Sequence, residues 1–166
     1  MRTAASVLIF LTICSVPARS QSVSPYKGLR YPPLPDGLES VFSSRVSNDD
    51  SVHYTLEQVA AGTQHFLWLA RDTLTVSNGR SVLREVRTIL TLPPLGPKEA
   101  LVQNCRVGKS DSPGQLDLVG IITLGPRDVQ HPRRAWRVDW QHERIVEIVT
   151  HDVICIDEGY YERRGI

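Results

Sequence analysis

The chain of 166 residues has little that would announce chemistry, and each gap removes a class of function. It has no Gly-x-Ser-x-Gly elbow and no glycine-rich phosphate loop, so the commonest serine-hydrolase and nucleotide-binding signatures are missing. His53, His65, His131, His142 and His151 stand singly, with no His-x-x-x-His pair and no local carboxylate cluster to complete a metal triad. No metal site is therefore expected, nor any other cofactor. There is no Cys-x-x-Cys redox pair, no Asn-x-Ser/Thr sequon and no internal repeat at solenoid or propeller periods. No apolar run reaches the ~20 residues that cross a bilayer as a helix. Charge of one sign is also lacking: the formal net charge of +1 becomes −1 without Arg2 and Arg19. That balance offers no drive toward nucleic acid or an anionic membrane.

What is present begins with a leader. Arg2 precedes the apolar stretch Ala4 to Val16, Pro17 breaks it, and Ala18-Arg19-Ser20 sets small residues where a signal peptidase reads them. Residues 1–20 are therefore expected to be a signal peptide, with an uncleaved anchor as the alternative, and the mature chain to be periplasmic or secreted. Of the three cysteines, Cys14 leaves with the leader. Cys105 and Cys155 remain, an even pair in an oxidising compartment, and a disulfide between them is predicted.

Residues 21–50 read as a proline- and serine-rich arm, within which Tyr26, Leu29, Tyr31, Leu34 and Leu38 are too apolar for a solvated linker. They predict a strap lying along the domain; the alternative is an extended ligand for an aromatic groove on another protein. Residues 51–166 then form a single β domain. Ser51 to Ala61 is ambiguous: Leu56, Val59 and Ala60 have helical spacing with Gly62 as a stop, while Val52, Tyr54 and Leu56 alternate like a strand. The helical reading is preferred.

From His65 the β character is plain. His65–Arg71 and Val82–Leu92 flank Asn78-Gly79, a favoured hairpin pair, and that turn sets Leu74 opposite Leu83 and Trp68 opposite Ile89. It also sets Asp72 against Glu85, an unfavourable pair. Prolines after Leu92 end the strand. Ala100–Val107 should be one strand delivering Cys105. In Gln115–Leu124, Leu116, Leu118, Gly120, Ile122 and Leu124 share one face and Val119 and Ile121 the other, as in a central strand covered on both sides. Arg133–Val149 forms a hairpin whose register the pattern leaves open: a two-residue turn at His142-Glu143 pairs Trp136 with Val149, and a one-residue slip reverses the faces. Val153–Ile156 is a last strand.

The strings Phe66-Leu-Trp-Leu69, Leu92-Pro-Pro-Leu95, Cys105, Ala135-Trp136, Cys155 and Glu158-Gly159 give residues 65–159 a pattern that resembles small exported cyanobacterial proteins without assigned function. The resemblance implies an exported β protein and no particular activity.

The expected architecture is mostly β, an antiparallel sandwich or partial barrel with one short helix and an N-terminal strap. The alternative is α+β, one helix packed on an antiparallel sheet. No catalytic set is identifiable, so a non-enzymatic binding or interaction module for a protein or small ligand is favoured. A carrier with a Trp-lined pocket and a hydrolase with a dispersed His/acid site are the alternatives. Trp68 and Trp136 are expected in the core, whereas Trp140, Arg137 and His142 at the hairpin's turn end are the candidate contact residues. Arg133, Arg134 and Arg137 form a basic cluster beside them. His151-Asp152 would face opposite ways on a regular strand and so form no dyad.

Overall fold

A computed structural model describes residues 25–47, 52–75, 82–108, 114–125 and 127–159. The leader, the Asn78-Gly79 turn and the residues after Gly159 lie outside these. Among the described residues every regular element is a strand, and all strand pairs are antiparallel.

The first sheet runs in the order β1-β5-β4-β3-β2, with β1 Arg30–Tyr31, β2 Glu39–Arg45, β3 Tyr54–Ala61, β4 Gln64–Thr75 and β5 Val82–Thr91. It curls into a half-barrel. The second sheet, β11-β10-β8-β6, contains β6 Glu99–Val102, β8 Leu118–Thr123, β10 Arg134–Asp139 and β11 Arg144–Ile148. A small third sheet sets β12 Val153–Ile156 between β7 Cys105–Val107 and β9 Val129–Gln130.

Alternation along the strands distributes the core into three clusters. Tyr54, Leu56, Leu67 and Leu69 from the first sheet meet Val119, Ile121, Trp136 and Val138 from the second. On the other face of the half-barrel, Val59, Phe66, Trp68, Ala70 and Val86 are covered by Tyr31, with Tyr26, Leu29, Leu34 and Leu38 packed alongside. These are the apolar residues of the predicted strap. The arm also supplies β1 and β2, so it belongs to the sheet as well as lying across it. The third cluster, Leu118, Ile122, Ala135 and Val153, surrounds the Cys105–Cys155 disulfide, which joins directly paired residues of β7 and β12.

The predicted helix is not formed. Residues 54–61 are strand β3, buried on both faces between β2 and β4. A helix presents one apolar stripe, whereas Leu56 and Val59 serve opposite clusters here, as only a period of two allows. Gly62, read as a helix stop, turns the β3–β4 hairpin at φ +59°, with Ala61 opposite Gln64.

Ala100–Val107 is likewise two strands in two sheets, β6 and β7, because the chain must leave β8 to pair with β12. From Leu118 onward the faces are as expected, with Leu118, Ile122 and Leu124 in the disulfide cluster and Val119 and Ile121 in the central one, but Leu116, expected on the covered face, precedes β8 and is exposed because the strand starts two residues later.

Candidate functional site

The hairpin of β10 and β11 pairs Asp139 with Arg144 and Trp136 with Glu147. This is two residues from the tight-turn register, so the inward face is kept while Trp140–Glu143 becomes a four-residue loop. Trp140 stacks at a tilt on Tyr54, ring centroids 6.0 Å apart. Glu143, at φ +50°, is the one non-glycine residue with positive φ among those described. Arg87 Nε donates to both of its carboxylate oxygens, at 3.0 and 2.9 Å, and the Tyr54 hydroxyl donates to one at 2.8 Å. The Thr88 hydroxyl donates to its carbonyl. Arg87 also donates to Glu85 at 2.6 Å. Those bonds raise the Arg87 pKa, while bonds from Arg87 and Arg30 lower that of Glu85. The turn is thereby fastened to β5.

Around it the predicted contact residues separate. His142 Nδ1 lies 2.9 Å from Asp139 Oδ1, and Arg144 Nε donates to Oδ2 at 2.7 Å. The bond with His142, then that from Arg144, draws the Asp139 carboxyl down to about 2. Arg137 sits on the face of β10 opposite Trp136 and Val138, with Ala135, and reaches Gln115 at 3.3 Å and Asp117 at 3.7 Å. Its neighbours in the basic cluster are neutralised: Arg133 pairs with Glu99 at 2.8 Å, and Arg134 with Glu147 at 2.6 Å while lying 5.2 Å from the Trp136 ring centre. The structure therefore brings Trp140 and His142 to one loop and leaves Arg137 outside it. A polar hollow of about 350 Å³ lies beside the loop, lined by Lys27, Glu85, Arg87, His142 and Glu143.

The histidines assemble nothing larger. His142 and His151 meet carboxylates, both in exposed local pairs. His151 and Asp152 do touch, at 2.8 Å, because they occupy a turn where strand alternation does not apply. His65 contacts Gln58, and His131 the Val153 carbonyl. Among the described residues no group of three His, Cys, Asp or Glu could hold a metal ion. Trp68 and Trp136 are fully buried in the core.

The larger concavity is elsewhere. A groove of about 720 Å³ runs between the outer edges of the two main sheets. Phe42 and Ser43 of β2 form one side; Ala100, Leu101 and Val102 of β6, with Gln103, form the other. Leu116 and Leu124 make an apolar wall, and Asn104, Asp157 and Glu158 close one end. Leu116 is 54 % exposed within it. Asn104 Nδ2 donates to Glu158 at 2.9 Å, and Glu158 has no cationic partner among the described residues.

None of the groove residues was selected from sequence. Their signal is scattered over five segments, and what joins them is that β2 and β6 are both end strands on the same side of the sandwich. Comparison with protein-family models, with curated proteins and with solved structures finds no match to this chain.

Proposed function

We propose that the chain is an exported, non-enzymatic binding module whose ligand site is the groove between β2 and β6. The observation that carries the reading is the groove's construction: half-open, apolar along one wall and polar at one end, with no histidine among its lining residues. Binding sites of 300 to 1,000 Å³ commonly combine an apolar lining with a few convergent polar groups. Export is supported by the leader-like first 20 residues and by the disulfide, a bond that persists in oxidising compartments. Trp68 and Trp136 belong to the core, so the reading rests on the groove and not on a tryptophan-lined cavity.

The test is selection of random seven-residue displayed peptides on the immobilised mature chain. Leu116→Glu places a charge in the groove at an exposed position, and His142→Ala alters only the turn end. Enriched peptides should bind Leu116→Glu at least about tenfold more weakly, a loss of ~1.4 kcal/mol, and His142→Ala unchanged. No enrichment, or sensitivity to His142→Ala alone, would overturn the assignment.

A further inference from the structure

We infer that the groove takes an extended peptide segment, which adds as a strand to the edge of β6 that no described strand covers and sets a lysine or arginine against Glu158. This rests on the groove being the binding site.

Side chains of a strand alternate between faces, so a cavity formed against one face meets every second residue. Here four consecutive residues, Ala100 to Gln103, line the groove. The cavity therefore looks onto the edge of β6. Its main-chain groups can be assigned from the ladder. Leu124 N donates to the Lys98 carbonyl at 2.6 Å, and Arg133 N donates to the Ile121 carbonyl at 2.8 Å. In an antiparallel pair these inward bonds recur at every second residue. Ala100 and Val102 consequently bond with β8, and the N–H and C=O of Leu101 point away from it, toward the groove.

The same reasoning gives β2 an outward residue. Val46 N donates to the Tyr54 carbonyl, so Ser44 bonds with β3 and Ser43 faces outward. The edges are not equivalent, however. The register shift between Ser40 and Phe42, together with Glu39 and Arg45, blunts β2 in the way natural edges are protected from pairing. The register of β6 is unbroken, and its one charged residue, Glu99 at the start, is already paired with Arg133. This edge is the better acceptor of a fifth strand.

Main-chain bonds of this kind give affinity, while alternate side-chain sites give selectivity. Apolar residues on one face of an added strand would lie against Leu124, and those alternating with them would turn toward Phe42. At the end of the groove Glu158 supplies a carboxylate with no cationic partner among the described residues. A cationic side chain is the complement. With four residues in β6, the paired segment would span about 13 Å at ~3.3 Å per residue.

The experiment uses the full mature chain and a peptide taken from the displayed library, made also with alternate amides N-methylated. Native-state hydrogen exchange is read at β6. Binding should slow exchange at the Leu101 amide by at least about tenfold and leave the already bonded Ala100 and Val102 amides little changed. N-methylation of the pairing edge should abolish binding, and Glu158→Gln should weaken lysine-bearing peptides several-fold while sparing their norleucine counterparts. Peptide binding that depends on Leu116 but leaves Leu101 exchange unaltered overturns edge pairing and spares the groove. Absence of any peptide binding removes both readings. If sedimentation shows a dimer that peptide dissociates, the natural occupant is a second copy, and a foreign peptide is overturned.

Discussion

Glu57 is a carboxylate with almost no exposure, paired across the sheet with Trp68, and it is held by two neighbours drawn from distant strands. The Tyr31 hydroxyl donates to Glu57 Oε2 at 2.6 Å, and Arg84 Nη1 approaches within 3.7 Å. Burial first, and the bond to Glu57 second, push the Tyr31 phenol well above its ordinary range. Replacing Tyr31 with Phe leaves a buried acceptor with one donor fewer, which should cost about 1–3 kcal/mol at pH 7. The sign with pH follows from the raised value. A phenol kept neutral in the folded state contributes stability that is complete below the unfolded pKa of about 10 and is lost as pH climbs above it. Urea denaturation at pH 7, 9 and 11 should show the gap between wild type and Tyr31→Phe constant at the first two and smaller at the third. An unchanged gap at pH 11 would mean that Tyr31 is not coupled to folding in this way. The strap residues, Tyr31 among them, were readable in the sequence because their hydrophobicity conflicts with a proline-rich linker. The partner Glu57 was not, since a lone glutamate in an ambiguous segment looks like surface. Gly120 is a similar case. A Cβ there would lie 2.8 Å from both Cys155 Sγ and Pro132 Cβ, so the glycine makes room for the disulfide, and that need arises only once three segments have come together.

Among the elements, the β4–β5 hairpin shows how a local conflict is resolved by geometry. The ends pair as a two-residue turn requires, Leu74 with Leu83 and Trp68 with Ile89. Between them two register shifts compensate, so that Arg71 faces Glu85 and Asp72 faces Arg84 in place of the like-charged pair. Periodicity could set the outer register but could not foresee a bulge on each strand. One of those shifts releases Arg87, which then grips Glu143 on the β10–β11 loop. The loop's length was hidden for a related reason: its register is fixed by Tyr54, Arg87 and Thr88, none of which belongs to the hairpin. Glu143 sits in the left-handed region, where a β-carbon costs about 1–2 kcal/mol. Glu143→Ala and Glu143→Gly both lose the bonds to Arg87 and Tyr54, but only glycine relieves that strain. The glycine variant should therefore be the more stable of the two by about 1 kcal/mol, both remaining below wild type. Thermal unfolding followed by tryptophan emission would show it, and an alanine variant as stable as the glycine one would place the loop's conformation elsewhere.

For the molecule as a whole, the chain divides its labour in sequence. The first sheet is built only from strands between Arg30 and Thr91, and the other two only from strands between Glu99 and Ile156. The halves meet in the central cluster and are fastened on one side where β11 approaches β5. On the other side β2 and β6 stand apart, which is why the groove exists. The disulfide lies wholly within the second half, across a sequence separation of 50. Closing a loop of that length restricts the unfolded chain by about 4 kcal/mol in the entropy model, and observed effects usually fall at or below that figure. Cys105→Ser combined with Cys155→Ser should thus cost about 2–4 kcal/mol. The loss should be uneven, because β7, β9 and β12 are short and lean on the sulfurs, whereas β3, β4 and β5 have long ladders and clusters on both faces. In native-state hydrogen exchange the amides of β7 and β12 should open at lower free energy in the serine variant, with β4 and β5 still exchanging only through global unfolding. If β4 and β7 lost protection by the same amount and at the same denaturant concentration, the two halves would be one cooperative unit, and the disulfide would be stabilising the half-barrel as much as the sheet it spans.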